Sequence, residues 1–112
     1  MTKKQLAKRV LVALGVIDRL QSPTSDDEKT VLDIYLEHHS SWLDRNLIRW
    51  DSDDIPLEIS GYVVKFIALE CANEFSVSDS RFQRLQMQAV NSQQFIIAHD
   101  APPYTEEISK YY

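Results

Sequence analysis

Three groups of residues have the chemistry that catalysis or metal binding uses: His38 with His39, the carboxylates Asp51, Asp53 and Asp54, and the single cysteine Cys71. Adjacent helical residues point about 100° apart, so His38 and His39 do not converge on one metal ion. The four-residue spacing that sets two histidines on one helical face is absent. Both histidines therefore read as core or boundary side chains, with His38 on the apolar line of its helix. The stretch 51–54 crowds carboxylates together but lacks the glycine and distal glutamate of a calcium loop. It reads as a solvated acidic turn that helps start the helix behind it. Cys71 has aliphatic neighbours, whereas a reactive thiolate needs an electropositive setting. A buried, inert thiol is expected. These readings predict no enzyme, no metal and no cofactor.

The elements that position these residues follow from composition and periodicity. Hydrophobic residues make up 44% of the 112-residue chain and charged residues 26%, which predicts one globular domain. Gly15 and Gly61 are the only glycines. Phosphate-cradling loops need several closely spaced glycines, and all-β folds need many tight turns, so both are excluded. One cysteine makes no intrachain disulfide, and no long apolar segment predicts a signal peptide or a membrane span. The expected site of synthesis is a cytoplasm.

Charge is uneven. Lys3, Lys4, Lys8, Arg9 and Arg19 against Asp18 give the first 20 residues +4; with −5 overall, the rest of the chain carries −9. An acidic surface does not hold duplex DNA by phosphate neutralisation. A basic first helix suits an anion or an acidic partner, or stands solvated.

The pattern predicts an all-α, compact bundle of about four helices over residues 1–100, with an extended C-terminal arm over 101–112. Thr2 and Gln5 form a capping box for a first helix at 3–14, which Gly15 ends with Val16 folding back. Ser25 and Glu28 form a second box, opening a helix with apolar lines Val31, Tyr35, His38, Trp42 and Leu32, Leu36, Leu43, Leu47. An irregular acidic loop at 48–55 leads to Pro56, at the first turn of a central helix at 56–75. Gly61 within it costs about 1 kcal/mol, which a close helix–helix approach would offset. Ser78 starts a fourth helix ending near Ala98, with Phe82, Leu85, Ala89, Val90 and Ile96 facing inward. Pro102 and Pro103 then set an extended path to Tyr104, Ile108, Tyr111 and Tyr112. Tyrosines anchor interfaces well, so this segment is expected to dock on a partner.

Taken in order, these elements resemble a known family. A basic first helix ends in Leu14-Gly15-Val16, and a long second helix contains Trp42. Ile48-x-Trp50, an acidic stretch and Asp54-Ile55-Pro56 follow, then a helix with Val64-Lys65, Ala68, Ala72 and Phe75. Over residues 3–98 this resembles the head-to-tail connector (adaptor, or head-completion) proteins of tailed bacteriophages. The resemblance implies a structural virion protein of the neck, made in the host cytoplasm. It also implies a ring, usually of twelve copies, beneath the portal, which joins head to tail and helps retain packaged DNA. DNA then passes through without specific binding, and a further tail component docks below. On this reading Pro102, Pro103, Tyr104, Ile108, Tyr111 and Tyr112 form the portal-docking arm. Lys3, Lys4, Lys8 and Arg9 would meet an acidic surface of the adjacent copy, either Asp51, Asp53 and Asp54 or the first turn of the second helix, as a cyclic ring needs two complementary patches. Arg49 and Trp50 would face the tail. The rival readings are a helical nucleic-acid-binding regulator or packaging subunit and, further off, a hydrolase built on the 51–54 carboxylates.

Overall fold

A computed structural model describes residues 1–100; the segment 101–112, with its proposed arm, lies outside the described residues. The first helix, α1 (Lys3–Ala13), starts where its capping box predicts: Thr2 Oγ1 accepts from the Gln5 N–H at 3.2 Å, and Gln5 Oε1 accepts from the Thr2 N–H at 2.9 Å. It ends as a left-handed cap. Gly15 has φ +77°, the Val16 N–H donates to the Leu11 carbonyl, and the Gly15 N–H donates to that of Val12. Leu6, Ala7, Val10 and Leu11 are buried along its inner face.

The second helix, α2 (Ser25–Asp44), starts one residue before the expected box. Thr24, not Ser25, is the cap, its hydroxyl accepting from the Asp27 N–H at 3.2 Å. The helix ends as α1 does, with Asn46 in place of glycine: φ is +57°, and the Leu47 N–H bonds back to the Trp42 carbonyl. Leu47 thus lies beyond the helix. The buried line is Val31, Tyr35, His39 and Trp42. His39 replaces the expected His38, while Leu43 is exposed and Leu32 and Leu36 are half-buried.

Residues 48–55 form the expected irregular loop, but they are anchored rather than loose. Ile48, Trp50 and Ile55 point into the core, and the Tyr35 hydroxyl donates to the Ser52 carbonyl at 2.8 Å. After Pro56 comes a 3₁₀ turn (Leu57–Ile59), then α3 (Ser60–Cys71), then a second 3₁₀ turn (Ala72–Phe75). The predicted helix 56–75 is therefore α-helical only in its middle. Its last turn tightens into Ser76, which sits at φ +51°. Val63, Val64, Phe66, Ile67, Ala68 and Cys71 are buried, and α3 packs on each of the other helices. The central position expected from its apolar character is correct.

Gly61 corrects one expectation. A Cβ built there meets nothing within 4 Å, so no close helix approach explains this glycine. Gly61→Ala is expected to stabilise the fold by about 0.5–1 kcal/mol through backbone entropy alone, seen as a raised urea midpoint with unchanged slope. A lowered midpoint would reveal a contact that the open space denies.

The single helix expected from Ser78 to Ala98 is two: α4 (Asp79–Ala89), capped by Ser78, and α5 (Ser92–His99). The break falls at Val90-Asn91-Ser92, three weak helix formers in a row. It leaves Val90 68% exposed, not inward, while Leu85, Ala89 and Ile96 remain buried and Phe82 half-buried. The described residues thus form an all-α bundle around one core, whose largest fully buried side chains include Trp42, Tyr35, Leu6, Leu11 and Ile67.

Candidate functional site

The outer face of α1 is where charge and surface shape coincide. Two shallow hollows of about 430 Å³ each lie side by side along it. The first is formed by Met1, Gln5 and Leu57, the second by Val12, Ala13, Arg19 and Val64. Lys8 and Arg9 line both and form the ridge between them. Among the described residues, no carboxylate comes within 4.0 Å of the charged side-chain nitrogens of Lys3, Lys4, Lys8, Arg9 or Arg19. Among those residues, Arg9 Nη1 reaches only Met1 Sδ at 3.3 Å and Ser60 Oγ at 3.4 Å. The result is a basic ridge between two partly apolar hollows.

The acidic loop lies at the start of the same helix in the same chain. The Met1 ammonium donates to the Ile55 carbonyl at 2.9 Å, and the Ile55 N–H donates back to the Met1 carbonyl at 2.9 Å. Asp53 Oδ1 accepts from the Lys3 N–H at 3.0 Å, placing an anion at the positive end of the α1 dipole. Asp51 turns its carboxylate on its own loop, accepting from the Asp53 N–H and the Ser52 hydroxyl. Those bonds hold its carboxyl below the usual range. Asp51 and Asp53 thus have partners within the chain, Asp53 at the start of α1 rather than of the helix behind the loop. Asp54 is exposed.

The other predicted positions divide. Arg49 is exposed, and its backbone N–H donates to Asp100 Oδ2 at 3.0 Å. Trp50 corrects the tail-facing expectation: it is 8% exposed and packs on His39 and Trp42 with ring centroids 5.0 and 6.3 Å away. Its indole N–H has no partner among the described residues. Pro102, Pro103, Tyr104, Ile108, Tyr111 and Tyr112 lie outside those residues.

Neither histidine is placed as half of a metal pair. His39 Nε2 donates to the Trp50 carbonyl at 2.9 Å, which requires the ring hydrogen on that nitrogen. His38 packs edge-on against Phe66 with its Nε2 3.6 Å from Glu70. No cluster of three or more His, Cys, Asp or Glu among the described residues is arranged to hold a metal ion. Burial, with Glu70 and Glu74 adding to it, pushes the Cys71 thiol up to about 12. Burial and the nearby Asp51 and Asp53 likewise raise the Tyr35 phenol.

These two groups predict alkaline sensitivity. The unfolded chain releases their protons near the ordinary values of 9.0 and 10.0, while the folded chain keeps them. The unfolded state then binds fewer protons, so stability falls as pH rises past 9 and again past 10. Urea midpoints measured from pH 7 upward are expected to decline across that window. A flat profile would mean that both groups ionise in the native state.

One surface feature had no signal in the sequence. Tyr62 of α3 and Phe95 of α5 stack with ring centroids 4.7 Å apart, with Lys65 Nζ 5.8 Å from the Tyr62 ring centre. Phe95 is half-exposed. The break before α5 sets this pairing, and a continuous helix did not predict it. Among the described residues no helix is long and apolar enough to cross a membrane. No family model, curated protein or solved structure matches this chain.

Proposed function

We propose that this chain is a non-enzymatic structural protein: a head-to-tail connector that assembles as a ring on a phage portal, in the neck of the virion. The observation that carries the reading is the uncompensated basic face of α1. A ring subunit needs a patch that its own fold leaves unmatched and that a neighbour's opposite patch completes. Lys8, Arg9 and Arg19, beside two open hollows, are such a patch on a chain whose remaining surface is acidic. With Asp51 and Asp53 held locally, Asp26, Asp27 and Glu28 in the first turn of α2 become the better candidates for the complementary side. Arg49 remains available for a tail component, and the tyrosines at 104, 111 and 112 for the portal.

The order of elements supports the same assignment. Leu14-Gly15-Val16 closes α1, Trp42 and Trp50 pack together, and Asp54-Ile55-Pro56 joins the loop to the central helix. Each stretch that carries the resemblance therefore has a structural role in the bundle.

The test mixes the untagged chain with purified portal rings, because a tag on Met1 would disturb its bond to Ile55. Co-sedimentation, and an added ring layer in electron-microscope averages, is the expected result. If the chain stays free of the portal but retards DNA in a gel at moderate salt, the nucleic-acid-binding reading replaces this one.

A further inference from the structure

We infer that the groove along α1 is the seat of a second copy of this chain, which inserts Leu20 into the Leu57 hollow and sets the first turn of its α2 against the Lys8–Arg9 ridge. The inference rests on the connector reading for its place in a ring. The contact itself follows from three features of the chain.

The first is a projecting side chain with no neighbour of its own. Leu20 is 96% exposed. It stands on a turn held by Asp18, whose Oδ1 accepts from the N–H groups of Leu20 at 2.8 Å and Gln21 at 3.1 Å. The Asp18 N–H donates in turn to Gln21 Oε1 at 2.7 Å. An aspartate-anchored turn of this kind holds the leucine outward and leaves its apolar surface in water.

The second is a hollow that suits it. Met1 and Leu57 supply the apolar part of the first hollow, and Leu57 is itself 78% exposed. Docking there removes two leucines from water at once. The Val64 hollow is the poorer seat, because Arg19, next to the chain's own Leu20, already borders it.

The third is charge. Asp26, Asp27 and Glu28 follow Leu20 closely in the chain, and among the described residues no cation lies within 4.0 Å of their carboxylates. The projecting surface thus offers a leucine and then carboxylates, while the α1 face offers an apolar hollow and then Lys8 and Arg9. Charge also sets the symmetry. Two copies joined by the same face would press one basic ridge against the other, so the contact runs head to tail, as a ring requires.

The test follows the mass of the full-length chain by sedimentation velocity at low salt. One variant, Leu20→Ser with Asp26→Asn and Asp27→Asn, loses the projecting surface. The other, Lys8→Gln with Arg9→Gln and Leu57→Ser, loses the groove. All the substituted residues lie outside the buried core, and circular dichroism checks that both variants fold. The wild-type chain is expected to gain mass with concentration and to return to monomer at about 1 M salt. Each variant alone should stay monomeric. Mixed, they should form a dimer of one of each that grows no further, because only one pair of intact faces remains. A wild-type chain still monomeric at about 1 mM would overturn the inference, as would variants that associate like the wild type or a mixture that stays monomeric. Co-sedimentation with portal rings separates the two readings. A chain that binds the portal without this self-association overturns the contact alone, and one that self-associates as described but ignores the portal overturns the connector reading alone.

Discussion

Trp42→Ala is expected to cost about 3–5 kcal/mol, a large share of the roughly 5–15 kcal/mol available to a domain of this size. Trp42 is 1% exposed, and its ring centroid lies 5.6 Å from that of Phe66 and 6.3 Å from that of Trp50. It thus ties α2 to both the central helix and the 48–55 loop. Truncation would leave a cavity that three different elements would have to fill, and the loop cannot follow while Tyr35 and His39 hold its carbonyls. Urea denaturation followed by circular dichroism reads the loss as a lowered midpoint. Trp50→Phe is the contrast. It removes an indole N–H that has no partner among the described residues, and is expected to change stability by less than about 1 kcal/mol. If both substitutions cost the same small amount, the aromatic cluster does not carry the core as its packing implies.

What could be read in the sequence follows from the range of the interactions. The Thr2–Gln5 box, the Gly15 terminus and the Ser78 cap were legible because each is written in residues a few positions apart. The bundle class was legible for the same reason, since helical periodicity needs no partner. The phase of α2 was not. His38 and His39 fit an apolar stripe nearly equally, and the choice is made by the Trp50 carbonyl eleven residues away. The break at Val90 was also hidden, because Leu85, Ala89 and Ile96 keep helical spacing across it. At the candidate site, the basic residues were plain in the charge asymmetry. The hollows were not, since Leu57 and Val64 come to α1 from elements far along the chain. The local use of Asp53 needed the contact with Lys3, fifty residues earlier.

The second large effect concerns the end of α1, where a local signal and a long-range contact meet. Gly15→Ala is expected to destabilise by about 1–3 kcal/mol. At φ +77° any Cβ is strained, and here it would also lie 2.9 Å from Arg81 Cζ. The guanidinium is the far end of a flexible side chain and can withdraw. Doing so gives up the bond from Arg81 Nη1 to the Ala13 carbonyl at 3.1 Å, a cation at the negative end of the helix dipole. The two costs separate in a double-mutant cycle. Arg81→Ala alone removes the cap, and Gly15→Ala in that background adds only backbone strain, so the double variant is expected to be more stable than the sum of the singles predicts. Gly15→Asn should fall between glycine and alanine, because asparagine tolerates the left-handed conformation that Asn46 already adopts at the end of α2. Strict additivity would mean that Arg81 does not depend on the space glycine leaves. The missing Cβ would then serve only the turn.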